Sequence, residues 1–349
     1  MYNTSVEYYN RDDKQTVAWM AVAKEILSGL SEDYVKSVPY QIKKMAVRDC
    51  YNAFRNGCSK ARKSGIGFRM SFRSRKEPRQ SCYIPKSALS DNGIYRTISG
   101  RLKMRETEIL RNGWQDLRLV CEYDRWYLSV PVIVDTRQRG ESQAPVDVVA
   151  IDPGIRSFIT YFSEDGRFGH VGNGSFQRIL GYHSKMEKLI SMRATTDDKK
   201  RRRNLYRRVG RIRLKIRDLV DEMQWKTADF LTRNFKVVVL PRFGTSGMVR
   251  RGSRSLRKAT VKAMQSLRFY EFSQRLAQKC SERGIILIRS NEAYTSRTNS
   301  FNGEIMNIGG RKSFRYDGVT VDRDINGARN ILIRAMRDSS ATAETRLVD

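Results

Sequence analysis

Histidine is nearly absent from this chain: His170 and His183 are the only two in 349 residues. A histidine-based metal site and a Ser-His-Asp triad are therefore close to excluded. Proline is scarce, at 7 residues, and the 5 cysteines (Cys50, Cys58, Cys82, Cys121, Cys280) form neither a Cys-x-x-Cys pair nor an even framework. Such thiols read as reduced and intracellular, mostly placed in cores. No apolar run approaches the roughly 18–20 residues of a spanning helix, and the N-terminus lacks a secretory pattern. With 40% apolar and 30% charged residues, the composition is that of a soluble globular protein with room for two or three domains.

Acidic residues are also in short supply, and this is the strongest signal. The chain carries 67 Lys and Arg against 37 Asp and Glu, a net charge of +30. So large an excess repels itself in the free protein, so a polyanion is the natural partner. A basic protein with no such partner and an anionic membrane surface are the alternatives; with no spanning segment, nucleic acid is the favoured one.

Residues 1–13 are polar and expected to be poorly ordered. From 13 to 64 the spacing is helical, first through Val17, Met20, Ala21 and Ile26, then after Pro39 through Ile42, Met45, Ala46, Cys50, Ala53 and Phe54. Between 65 and 135 the period becomes two. Short aromatic or β-branched segments occur at 67–72, 81–84 and 117–132, the last a hairpin turning at Asp124-Arg125. Residues 136–146 read as a linker. The pattern then predicts strands at 146–152, 157–162 and 167–171, helices at 176–193 and 199–234, and a strand at 237–240. A helix at 258–283, a strand at 285–289, a last helix at 324–337 and a flexible tail at 338–349 complete it.

Three strands followed by helix, strand, helix, strand and helix is the order of an α/β, RNase H-like domain, here spanning 147–337. Fold alone gives no function, so the carboxylates must. Asp152 ends the first buried strand, and Asp324 opens the last helix in Asp322-Arg323-Asp324-Ile325-Asn326-Gly327-Ala328-Arg329-Asn330. Hard oxygen ligands from distant elements suit Mg²⁺, and a pair of ions can activate water and stabilise a leaving oxygen. Each also has a purely structural reading: Asp152-Pro153-Gly154 makes a good turn, and Asp324 a good helix cap.

The segments VVAIDPGIRS (148–157), YTSRT (294–298) and DRDINGARNIL (322–332) resemble the RuvC-I, zinc-knuckle entry and RuvC-III segments of the TnpB and Fanzor proteins. Residues 38–54 and 68–74 resemble their N-terminal half, so the likeness spans roughly 35–335. It implies a helical recognition region at 1–64, a β-barrel-like wedge domain at 65–135 and a RuvC nuclease domain. Two departures stand out. Where the family carries a glutamate after the fourth strand, this chain has Pro241, which cannot ligate a metal. Glu292, just past the fifth strand, resembles the relocated glutamate of Fanzors, on a strand expected to lie about 4.8 Å from the fourth. The resemblance therefore implies Asp152, Glu292 and Asp324 as catalytic residues holding two Mg²⁺ ions. The alternative for Glu292 is an exposed loop residue. At the family's zinc-binding cysteines, within an insertion at 295–321, stand Asn299, Asn302, Phe314 and Asp317, so no zinc is implied.

Three basic clusters complete the reading. Lys199, Lys200, Arg201, Arg202 and Arg203 lead into Arg207, Arg208 and Arg211 on one helix; Arg250, Arg251 and Arg254 follow the fourth strand; Arg73, Arg75 and Lys76 lie near the N-terminal half. So many like charges on one helix repel unless phosphates are near, although 199–203 also fits a nuclear localisation signal. By resemblance, the first two clusters would line a guide–target heteroduplex channel, and the third would touch guide RNA or a flanking DNA motif. The resemblance implies an RNA-guided endonuclease cutting double-stranded DNA, with guide RNA and target DNA as partners and the nucleus as its place if the source is eukaryotic or viral. A nuclease-deficient RNA-guided regulator and a DNA strand-transferase on the same fold are the alternatives.

Overall fold

The computed structural model describes residues 1–11, 17–29, 33–74, 76–90, 93–95, 115–138, 140, 144–242, 258–290, 297–306 and 311–346. They fall into two compact units, Met1–Ile133 and Val134–Asp349.

The first unit opens with helices α1 (Tyr2–Tyr9), α2 (Trp19–Ser28), α3 (Asp33–Lys36) and α4 (Tyr40–Ser64). Helix α1 corrects the expectation of a poorly ordered start. Tyr2, Val6 and Tyr9 recur at helical spacing and pack with Val22, Val47, Cys50 and Phe54. Tyr9 stacks on Phe54 with ring centroids 5.2 Å apart. Residues 67–72 form no strand, contrary to their alternating pattern. Their neighbourhood is pinned instead by two asparagines of the α1 region. Asn10 donates to the Met70 carbonyl and accepts from its N–H, both at 3.0 Å. Asn3 does the same to Arg73, at 2.9 and 2.8 Å. Seven residues of helix rise about as far as three extended ones, roughly 10 Å, so two side-chain amides replace a strand ladder.

Strands β1 (Arg79–Ile84), β4 (Leu117–Glu122) and β5 (Arg125–Ser129) make one antiparallel sheet, and β2 (Leu89–Ser90) pairs with β3 (Gly93–Ile94). The hairpin turns at Tyr123-Asp124, one residue earlier than expected. Both have positive φ (47° and 68°), the geometry that matches strand twist in two-residue hairpins. Among the described residues no sheet closes, so the expected barrel is not found: β1 and β5 are the two edges of an open sheet.

The second unit is built on five strands, β6 (Val146–Pro153), β7 (Ile159–Ser163), β8 (Phe168–Val171), β9 (Phe235–Pro241) and β10 (Ile286–Ser290), in the order β10-β9-β6-β7-β8. β6, β7 and β8 form an antiparallel meander, while β9 and β10 run parallel to β6. Helices α5 (Ser175–Thr195), α6 (Lys199–Asn234), α7 (Lys258–Leu267), α8 (Phe269–Arg283) and α9 (Arg323–Arg346) and a ribbon of β11 (Ser313–Tyr316) and β12 (Val319–Asp322) complete it. The final helix continues past residue 337, where the sequence pattern stops. Among the described residues no helix is long and apolar enough to cross a membrane.

Alternation along β6 sorts the two faces. Val149 and Ile151 enter a core with Ile216, Val220, Leu231 and Phe272, whereas Ala150 enters a smaller one with Ile331, Leu332 and Ala335 of α9. Full burial of each such large side chain contributes about 1.5–3 kcal/mol. Because side chains two apart share a face, Asp152 belongs to the α9 side. The single helix expected at 258–283 is broken at Arg268, whose φ is 49°. Fully buried Gln224 donates to the Leu267 carbonyl at 2.6 Å and the Arg268 carbonyl at 3.2 Å. Two carbonyls turned out of the helix toward one amide make the break.

Candidate nuclease site

Asp152 is carried to the rim of the sheet by β6. Its cross-strand partner is Thr160 on β7, which in turn faces His170 on β8. Opposite them stands the first turn of α9. A Cβ at Gly327 would lie 2.7 Å from Asp152 Oδ2, so the carboxylate rests against the helix backbone one turn beyond Asp324. A strand-end aspartate thus meets the helix that opens with Asp324, 172 residues further along the sequence.

The structure also separates the two roles that the Asp322-Arg323-Asp324 motif left open. Asp322 Oδ1 accepts from the Asp324 N–H at 2.8 Å and the Ile325 N–H at 3.1 Å. Asp322 is therefore the cap, and the Asp324 side chain is released from that duty; its partner is Arg156, whose Nη1 lies 3.8 Å from Asp324 Oδ1. Asp322→Ala should cost about 1 kcal/mol of stability, the usual worth of an N-cap, measured as a lower denaturant midpoint. A midpoint unchanged within error would deny Asp322 that role.

Pro241 ends β9 in register with Ser290, the last residue of β10. The neighbour relation expected for these two strands is present, and Glu292 follows Ser290 by two residues, but Glu292 itself lies outside the described residues. Among the described residues no three His, Cys, Asp or Glu side chains gather as a metal would require. Two hard carboxylates on facing elements, one of them seated against Gly327, do suit a divalent cation with oxygen preference.

The segments holding the four positions at which the family carries zinc ligands have side-chain and ring contacts of their own. Asn299 is 1% exposed, and its Oδ1 accepts from the Phe301 N–H at 3.1 Å. Asn302 and Glu304 close a second small ring, Asn302 Oδ1 accepting from the Glu304 N–H and Asn302 Nδ2 donating to Glu304 Oε2. Phe314 lies on β11, and Asp317-Gly318 supply the two positive-φ residues of the β11–β12 turn. Phe301 stacks on Tyr316 at 5.3 Å, with the Arg329 guanidinium 4.3 Å from its ring centre. Helix α9 anchors the loop: Asn326 and Asn330 both donate to the Thr298 carbonyl, and Asn326 Oδ1 accepts from the Ser300 N–H. A zinc chelator should therefore leave thermal stability unchanged. Phe301→Ala should loosen the loop by about 1 kcal/mol, the scale of an aromatic pair, seen as faster amide exchange at 297–306. Chelator-induced unfolding would contradict this account.

Sequence reading had passed over Thr160, His170, Asn326, Gly327 and Asn330 as site residues. Asn326 and Asn330 were detectable as an i, i+4 pair on one helix face; Thr160 and His170 needed the strand register. The second histidine is different in kind. His183 Nε2 pairs with Ser266 Oγ at 2.7 Å, and burial pushes its pKa below the ordinary imidazole value.

The basic residues of α6 are laid out on its solvent side. Lys199, Lys200, Arg201, Arg202, Arg203, Arg207, Arg208 and Arg211 are exposed, while Leu205, Val209 and Leu214 are buried beneath them. Asp198 caps this helix through the Lys200 N–H at 2.8 Å. In the first unit Arg73 is exposed, with its guanidinium 3.7 Å from the Tyr2 ring centre, and Lys76 is exposed as well. Arg75, Arg250, Arg251 and Arg254 lie outside the described residues.

Comparison with known proteins gives a consistent picture. Residues 269–331, from α8 through the first turns of α9, match the family model described as Cas12f1-like, TNB domain. A candidate transposase of Paramecium bursaria Chlorella virus 1 is 27% identical over 89% of this chain and 72% of its own length. A TnpB-like protein of Acanthamoeba polyphaga mimivirus is 22% identical over 73% of this chain, which spans only 49% of that relative. A Streptomyces pristinaespiralis protein described as a candidate RNA-guided DNA endonuclease is 25% identical over 92% of this chain and 79% of its own. Among solved structures, the Cas12f1 chain of a Cas12f1–sgRNA–target DNA complex superposes over 95% of this chain and 79% of its own. Its TM-score is 0.52 at 14% identity, a likeness of fold.

Proposed function

We propose that this chain, which is similar to TnpB-like and Cas12-related proteins, is an RNA-guided, Mg²⁺-dependent endonuclease that cuts double-stranded DNA beside a short flanking motif. The five-stranded unit is then its RuvC-type, RNase H-like nuclease domain. The observation that carries this reading is the contact of the Asp152 carboxylate with α9 at Gly327, one turn beyond Asp324, in a chain of net charge +30.

In this reading Asp152, Asp324 and Glu292 hold the metal. Bound Mg²⁺ would supply an activated water and charge stabilisation for the leaving oxygen. The protein's own part is positioning. β6 and α9 each present a carboxylate, Asp152 finding room against α9 because Gly327 has no side chain, and the exposed side of α6 offers eight cations to a phosphate backbone. Sequence choice is delegated to base pairing with the guide, as in other RNA-guided effectors, while the protein reads duplex shape and the flanking motif.

Pro241, in place of a ligand at the end of β9, favours one second reading: an RNA-guided binder that does not cut. The deciding assay is Mg²⁺-dependent cleavage of a guide-matched duplex by protein purified with its RNA, wild type beside Glu292→Gln. Cutting by wild type alone supports the nuclease and makes Glu292 essential to it. Tight, guide-dependent binding with no cutting by either protein sinks the nuclease and leaves the binder.

A further inference from the structure

We propose that His170 is a positioning residue for the nuclease site, a strut between the sheet that carries Asp152 and the helix start that carries Asp324. The proposal rests on the metal-dependent nuclease reading above and adds to it a residue outside the carboxylate set.

The geometry is a row of cross-strand neighbours ending in two side-chain approaches of His170. Asp152, Thr160 and His170 are successive cross-strand partners on β6, β7 and β8, so their side chains form one row on the α9 face. Thr160, only 2% exposed, has its Oγ1 3.0 Å from His170 Nδ1. The other ring nitrogen, Nε2, lies 4.0 Å from Asp322 Oδ2. Asp322 spends its remaining oxygen on the N–H groups of Asp324 and Ile325. One imidazole therefore spans from the middle strand of the meander to the cap that sets the start of α9. A rigid ring with a nitrogen on each side can face both groups at once.

The two aspartates sit on elements joined by no strand pairing, so the gap between their carboxylates depends on how α9 seats on the sheet. Apolar packing fixes that seating further along, where Ile331, Leu332 and Ala335 meet Ala150 and Val239. At the helix start the described polar approaches to the sheet are Arg156, from the β6–β7 connection, to Asp324 at 3.8 Å, and His170, from β8, to Asp322 at 4.0 Å. Partners that orient metal ligands typically contribute 10–100-fold in affinity or activity.

The test uses the RNA-loaded full chain with His170→Ala, His170→Asn and His170→Gln. Metal binding is followed by Mn²⁺ titration calorimetry, seating of α9 by amide exchange at Asp324 and Ile325, and cutting against Mg²⁺ concentration. His170→Ala is expected to weaken Mn²⁺ binding and raise the half-saturating Mg²⁺ about tenfold. Exchange at 324 and 325 should quicken, target binding should stay at the wild-type level, and added Mg²⁺ should restore most of the cutting. Asn keeps the reach to Thr160 and Gln the reach to Asp322, so each should fall between Ala and wild type. Wild-type metal binding and exchange in a folded His170→Ala protein would overturn the strut alone. A wild-type chain that binds no Mn²⁺ would overturn the nuclease reading, and the strut with it.

Discussion

Asp324→Asn should lower guide-directed cleavage by at least about 10³-fold, a loss at the upper end of that from removing one preorganised charge-stabilising group, while leaving target binding intact. The substitution preserves shape and removes one negative charge from a site that must hold a dication. It also leaves the fold's own bonds in place. The cap of α9 is Asp322, which accepts from the backbone N–H groups of residues 324 and 325 whatever side chain residue 324 carries. The ion pair lost among the described residues, to Arg156 at 3.8 Å, joins two partly exposed groups and contributes little. Single-turnover cleavage and gel-shift binding, measured on the same preparation, separate the two effects. Cleavage within tenfold of wild type would remove Asp324 from the metal site. Asp152→Asn should behave in the same way, because its carboxylate faces the same turn from the sheet.

The contrast between Asp322 and Asp324 shows where sequence reading stops. Both fit a helix N-cap, and local preference cannot say which of two aspartates two residues apart takes it. The choice follows from where β12 ends, since Asp322 is still paired with Ser313 across the ribbon. By contrast, β6 was legible because an almost unbroken apolar run bounded by Asp-Pro-Gly has few other uses, and alternation along it assigns Asp152 to a face. Helix α1 was missed because its apolar positions are mostly tyrosines in a polar stretch. The false strand at 67–72 had the right period but no backbone partner; Asn3 and Asn10 took that place from a distance of 60–70 residues. His170 shows the same limit. A histidine in a four-residue strand carries no message until the register sets it beside Thr160 and the helix brings Asp322 to its other nitrogen. The basic run of α6 was legible in the sequence, but the side buried beneath it, marked by Leu205, Val209 and Leu214, came from the structure.

Gly327→Val should cost about 10²-fold in cleavage with little change in stability, and the reason is the contact that seats Asp152 against α9. Within a helix, valine is a better choice than glycine on intrinsic preference by a few tenths of a kcal/mol. The space tells against it. Even a Cβ at this position would lie 2.7 Å from Asp152 Oδ2 and 3.7 Å from its Cγ, and the two methyl groups of valine extend further. The obstructed atom is the end of a short side chain rather than backbone, so the carboxylate can turn away while β6 and α9 stay seated on their apolar core. A misplacement of about 1 Å in a reacting geometry is worth roughly 10² in rate, which sets the expected loss. Gly327→Ala, with one carbon to accommodate, should lie between valine and wild type. Thermal unfolding close to wild type beside a hundredfold slower cut would locate Asp152 in the chemistry through its position alone. Full activity in Gly327→Val would mean that the carboxylate leaves this turn of α9 before the DNA is cut.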